Sequence, residues 1–161
     1  MSLPFVIEAL LVARRARRDG AFERVRQARA DVRAAETARD AIDLRLQRTL
    51  GLRVDCVARL GAMAGDGVAS ALEYGRAEDH IAMLGARADE IRIELSRAEH
   101  AVAMARTKLD HAIAEFMRAQ KRLDAVLEQK AQWEREAGKA ELRAEENAAE
   151  DLLVNRRAGR R

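Results

Sequence analysis

Stepping alternately four and three residues from Ala77 lands on Ile81, Leu84, Ala88, Ile91, Leu95, Ala98, Val102, Ala105, Leu109, Ala112, Phe116, Ala119, Leu123 and Val126. Every step meets an apolar residue. That is the seam of a coiled coil, whose 3.5-residue repeat holds one stripe of a helix against a partner. The first half carries the same phase more raggedly, through Val25, Ala28, Val32, Ala35, Arg39, Ile42 and Leu46, then Leu50, Val54, Val57 and Leu60. The eleven-residue step from Leu46 to Val57 predicts a stutter, where the supercoil locally unwinds.

The only glycine cluster, Gly61 through Gly67, separates the two seams. The pattern therefore predicts helix 1 over about 4–60, a turn at 61–67 and helix 2 over about 68–155. Ala21, Ala28 and Ala35 repeat by seven in the first helix, and Ala98, Ala105, Ala112 and Ala119 in the second. Small residues permit close approach, so the two runs should face each other across an antiparallel pair. A turn at that place sets residue i opposite roughly 132 − i and leaves helix 2 without an intramolecular partner from about residue 130. The overhang is about 30 residues, on the order of 45 Å at 1.5 Å per residue. The expected fold is all-α: an elongated antiparallel two-helix coiled-coil hairpin with an overhanging C-terminal helix.

Composition agrees. Of 161 residues, 34 are alanine and 26 arginine, only 3% are aromatic, and Pro4 is the single proline. Such a chain favours long helices and lacks the bulky side chains and turn residues of a compact core. The net charge of +3 is small and dispersed. Arginines alternate with Asp19, Glu23 and Asp31, and aromatics for base stacking are missing, so nucleic acid is not an expected partner. No run approaches the roughly 18 apolar residues of a membrane span. The apolar stretch Leu3–Ala13 precedes its arginines, the reverse of a secretory signal. The cytoplasm is the expected compartment, without stable membrane insertion.

Candidate chemistry is thin. His80, His100 and His111 form no i, i+4 pair, Cys56 stands alone, and no phosphate loop follows a strand. Metal, cofactor, nucleotide and nucleophile are all unsupported, and two helices build no compact pocket, so the chain is not expected to be an enzyme. Cys56, one residue from Val57, reads as a buried or half-buried structural thiol.

The two ends carry more information. Phe5, Val6, Ile7, Leu10, Leu11 and Val12 are apolar nearly all round, and Arg14, Arg15, Arg17 and Arg18 follow directly, with Arg14 and Arg18 in seam phase. A greasy helix start that turns densely basic suits an external partner; the alternatives are a cover over Trp133 and helix 2, or a helix lying on a membrane surface. Residues 128–151 hold eight acids and four bases, and Glu141/Glu145 and Glu146/Glu150 repel at i, i+4. Such a helix frays alone unless a basic partner completes it. Leu152, Leu153 and Val154 follow, then a basic end.

The stretches Ile7-Glu-Ala-Leu-Leu-Val-Ala-Arg-Arg-Ala-Arg-Arg18 and Glu134-Arg-Glu-Ala through Glu145-Glu-Asn-Ala-Ala-Glu-Asp-Leu-Leu-Val-Asn-Arg-Arg157 give the chain a likeness to one family. With its size and hairpin position, it resembles the type III secretion stalk proteins, the flagellar FliJ and injectisome YscO (SctO) group, with the injectisome branch favoured. The resemblance implies a non-catalytic central stalk, similar to the gamma subunit of rotary ATPases. Its termini would enter the hexameric secretion ATPase through Ile7, Leu10, Leu11, Arg14, Arg15, Arg17, Arg18, Trp133, Glu134, Glu136, Glu141, Glu145, Leu152 and Leu153. Its tip would face the export gate protein of the inner membrane, and some relatives also bind escort chaperones. Tip aromatics are sparse here, Tyr74 alone lying in seam phase, so off-seam Leu44, Leu52, Leu72, Met83 and Ile93 are the gate-facing candidates. Two other classes fit an Ala/Arg/Glu coiled coil: a general spacer or homo-oligomeric scaffold, and a phasin-like amphipathic coat.

Overall fold

A computed structural model of the chain describes residues 3–66 and 70–158, with side chains over 6–65 and 70–150. They form two α-helices, α1 (Leu3–Asp66) and α2 (Ala71–Ala158), packed against each other, with no strand among the described residues. Contacts fall into two units. One joins α1 up to Glu23 with α2 from Ile113 onward, and the other holds Arg24–Ala112.

Burial follows the sequence pattern closely on α2, where every seam position from Ala77 to Val126 is buried or half-buried. The same spacing continues through half-buried Lys130, Trp133 and Ala137. On α1 it runs through Ile7, Leu11, Arg14, Arg18, Ala21, Val25, Ala28, Val32, Ala35, Arg39, Ile42 and Leu46. The expected stutter does not occur. Val54 and Val57 are 66% and 52% exposed. The regular spacing instead passes through half-buried Thr49, Cys56, Leu60 and Met63, with Arg53 lying over Gly85 of α2. The physical reason is continuity: the helices keep one uninterrupted repeat and accept a threonine, an arginine and a cysteine in it. Leu50, Val54 and Val57 each stand one residue later, which is about 100° round a helix of 3.6 residues per turn.

In the unit containing the start of α1, Leu11 packs with Leu123 and Val126, and Ile7 packs against them. Glu8 pairs with Lys130, and Phe22 meets Phe116 at 5.8 Å between ring centroids. In the other unit Leu46, Ala88 and Ile91 form the centre, flanked by Ile42, Leu50 and Leu95. Arg45 pairs with Glu94, and Arg106 with Glu36 at 2.6 Å. Within each unit, residue numbers rise on α1 as they fall on α2, so the packing is antiparallel. Full burial of Leu11 and Ile91 is worth about 1.5–3 kcal/mol each, against about 0–1 kcal/mol for the exposed ion pairs.

The register differs from the expected one. Core partners, Leu11 with Leu123 and Val126 and Leu46 with Ala88 and Ile91, add to 134 and 137, and the flanking ion pairs and ring pair to between 138 and 142, rather than roughly 132. The cause lies where the helices end. α1 continues through Gly61 and Gly65 to Asp66, because glycine lowers helix propensity by only about 1 kcal/mol and does not itself stop a helix. The start of α2 is set by a capping box. Ser70 Oγ accepts from the Glu73 N–H at 3.4 Å, and the Glu73 carboxylate accepts from the Ser70 N–H and hydroxyl, each at 2.8 Å. Ser70 O also accepts the N–H of Tyr74 at 3.1 Å. These bonds hold the Glu73 carboxyl below its ordinary pKa, the Ser70 N–H contributing most. The expected turn at 61–67 and α2 start near 68 are corrected accordingly.

At Gly51, Gly61, Gly65 and Gly75 an added methyl group would meet nothing within 4 Å. No close approach requires these glycines, so they soften the helices without serving the packing. Replacing Gly51 or Gly75 with alanine is expected to raise stability by about 0.5–1 kcal/mol each in urea titration. Ser70→Ala is expected to lower it by about 1 kcal/mol. Ala28 and Ala105 line one shallow cleft. Cysteines at these two positions, in a Cys56→Ser background, are expected to crosslink within one chain on mild oxidation. Crosslinks formed only between chains would contradict the antiparallel pairing.

Candidate partner-binding surfaces

The first surface lies in the unit that joins the start of α1 to the C-terminal part of α2. Its foundation is the Leu11–Leu123–Val126 cluster. Leu11 is 1% exposed and belongs to the core between the helices. It is therefore not a surface contact, which corrects its place among the candidate binding residues. Leu10, one position round, is exposed, as is Val12. Ile7 is half-buried against the cluster.

The four arginines that follow divide by phase. Arg15 and Arg17 are exposed, whereas Arg14 and Arg18 are half-buried in the seam. The Nε atoms of Arg14, Arg18 and Arg39 are buried without an aligned hydrogen bond. Arg18 Nε lies 2.8 Å from the carboxylate of Asp19, and Arg39 Nε 2.8 Å from that of Asp40. A carboxylate on the very next residue is close enough to attract but is poorly aimed at the N–H. These arginines act as apolar stems that cover the seam while their heads reach outward.

Lys130 links the two helices. It pairs with Glu8 and lies 3.8 Å from Glu134. The hydrogen bond from Lys130, reinforced by its charge, holds the Glu8 carboxyl below its ordinary range, while the bond to Glu8 raises the Lys130 ammonium. Arg15 is near enough to lower both. Trp133 is half-buried, and Glu134 and Glu136 are exposed. From Lys139 to Glu150 every residue of α2 is exposed, including Glu141, Glu145 and Leu142. The side chains of Phe5, Leu152, Leu153 and Val154 lie outside the described residues. Pairing between the helices thus reaches Lys130, and residues 139–150 are exposed throughout.

The second set of candidates lies in the other unit. Leu44, Leu52, Leu72, Met83 and Ile93 are all more than half exposed, as their off-seam positions predict. Beside them is a surface that the sequence reading missed, an open apolar groove lined by Leu50, Arg53, Val54 and Val57. Hydrophobicity favours the two valines as seam residues over the arginine and cysteine that occupy it. An unbroken count from Leu46 would have placed them outside. Phe22 and Met117 are further exposed apolar residues that hydrophobic phase alone did not single out.

His80, His100 and His111 are exposed. Cys56 is a half-buried free thiol with Arg59 Nη2 at 3.9 Å from its sulfur. Among the described residues no cluster of histidine, cysteine or carboxylate could hold a metal ion. No described helix is long and apolar enough to cross a membrane. No protein family, curated protein or solved structure matches this chain.

The Glu8–Lys130 pair has a defined pH signature. Glu8 has a folded pKa below its unfolded value, so its contribution is complete above the ordinary carboxylate range and is lost as pH falls through the folded value. Lys130 has a folded pKa above its unfolded value, so its contribution is complete below the ordinary lysine range and is lost as pH rises through the folded value. The stability difference between the native chain and Glu8→Gln should be flat between roughly pH 5 and pH 10 and close at both ends. High salt should shrink it throughout. Denaturant midpoints measured across pH would reveal it, and a difference independent of pH would show that the pair does not form.

Proposed function

We propose that this chain is the stalk of a type III secretion system, of the FliJ/YscO (SctO) group, built as an antiparallel coiled-coil hairpin with an overhanging C-terminal helix. In this reading it is not a catalyst. Its two ends engage the hexameric secretion ATPase at the cytoplasmic face of the secretion apparatus, and the unit Arg24–Ala112 meets the export gate protein of the inner membrane. Escort chaperones are further candidate partners.

One observation carries the proposal. The Glu8–Lys130 pair and the Leu11–Leu123–Val126 cluster hold the basic start of α1 against the base of a helix that then continues exposed on every side and rich in acid. A helix carrying Glu141/Glu145 and Glu146/Glu150 at repelling spacing gains from a partner that supplies cations. Exposed Leu10, Arg15 and Arg17 on one helix and Glu134, Glu136, Glu141 and Glu145 on the other give this end an uneven charge distribution. Such a distribution favours particular orientations inside a ring of identical subunits. Ile7, Arg14, Arg18 and Trp133 support those contacts from half-buried positions, and Leu152 and Leu153 extend them. Leu44, Leu52, Leu72, Met83 and Ile93 are the gate-facing residues of this reading.

The test is titration of the full chain, and of a chain ending at Gly138, onto the hexameric secretion ATPase. The full chain is expected to promote hexamer assembly and hydrolysis. The truncated chain keeps the Leu11 and Lys130 contacts, so it should fold and fail to stimulate. Single charge reversals at Glu141 or Glu145 should be mild, because exposed ion pairs are worth about 0–1 kcal/mol each. Equal stimulation by both chains would remove the exposed helix from the binding end. No stimulation by either, with self-association in sedimentation, would favour a coiled-coil spacer.

A further inference from the structure

Leu50, Val54 and Val57 are spaced at i, i+4 and i+7, which puts them in one row on α1. Leu50 packs against the Leu46–Ala88–Ile91 cluster and anchors the row. Val54 and Val57 leave the cluster and face solvent, at 66% and 52% exposure. The groove they line has one polar wall, the side chain of Arg53. That guanidinium reaches Gly85, with Cζ and Nε each 3.7 Å from where a β-carbon would stand. A β-carbon there would make only ordinary contact, so Arg53 rests against α2 beside the apolar row. Arg45 and Arg106 of the same unit each meet a carboxylate across the helices; Arg53 meets none among the described residues.

We infer that this groove takes an amphipathic helix from another protein, one that presents an apolar row of matching spacing and a carboxylate for Arg53. An apolar row about 10 Å long is the length over which two helix turns present successive anchors. The guanidinium adds a charge-assisted bond, which is stronger than a neutral one and sets the register of the incoming helix. A second copy of this chain is the weaker occupant. Antiparallel two-fold packing of the row on itself places Arg53 on the same side of the interface as its own symmetry mate, like charge against like. The inference does not depend on the secretion reading, since a spacer with this seam has the same groove.

The experiment selects helical 18-residue peptides from a displayed random library on the full chain, then measures the recovered peptides one by one. The expected binders share apolar residues at i, i+4 and i+7 with a Glu or Asp beside them. They should bind Val54→Glu, Val57→Glu and Arg53→Gln at least about tenfold more weakly, and Met117→Glu as well as the native chain. Circular dichroism checks that each variant stays helical, and the exposure of the two valines makes loss of folding an unexpected result. Should Val57→Glu alone unfold the chain, Val54→Gln is measured in its place. The inference is overturned if no binders are recovered, if binders are indifferent to the valine changes, or if Arg53→Gln leaves affinity intact. A concentration-dependent dimer abolished by Val57→Glu would give the groove to a second copy and equally overturn it.

Discussion

An uninterrupted alternation of four- and three-residue steps along both helices governs the rest of this structure. With so few aromatic residues, the chain has little apolar bulk outside the seam. Cohesion comes from many small contacts in one stripe, with Leu11, Leu46, Ile91, Leu123 and Val126 as its larger members. Alanine, threonine, cysteine and arginine fill the remaining places. A break in phase would move every later side chain out of the stripe, so keeping phase outweighs the choice of residue at any one position. That explains why Arg53 and Cys56 sit at seam positions while Val54 and Val57, better hydrophobes, do not.

The same constraint distributes the polar groups. Arginines in seam phase lay their stems over the stripe and send their heads to the flank, where Arg14, Arg18 and Arg39 leave a buried Nε without an aligned acceptor. Carboxylates on the flank meet cations of the other helix at Glu8, Glu36 and Glu94. These pairs contribute little stability but discriminate between registers, because a one-heptad slip would set different charges opposite one another. Beyond Ala137 the stripe has no half-buried member up to Glu150, and α2 carries its acids into solvent. This exposed stretch, beside a basic α1, is the basis for proposing a partner there.

Much of this was legible in the sequence, and the rest failed for identifiable reasons. The stripe from Ala77 to Val126 could be read residue by residue, since every step was apolar. Over 49–57 the true seam residues are Thr49, Arg53 and Cys56, and following hydrophobicity rather than spacing led to the valines. The helix boundary lies later than the glycines suggest, because Ser70-Ala-Leu-Glu73, a capping box visible in the sequence, sets it. The later helix start shifts the register by a few residues. Phase predicts the exposed places of Leu52 and Met83, whereas greasiness alone does not separate core Leu11 from exposed Leu10. The groove at Arg53 is not legible from hydrophobicity, which draws Val54 and Val57 into the seam rather than onto the surface.

Cysteine reactivity reads the seam phase at the point where hydrophobicity and spacing disagree. Labelling with a bulky maleimide compares native Cys56 with single cysteines placed at 54 and at 57 in a Cys56→Ser background. An unbroken repeat predicts rapid labelling at 54 and 57 and slower labelling of half-buried Cys56, with the rates converging in denaturant. Protection at 57 together with fast labelling of Cys56 would restore the stutter and contradict the seam described here.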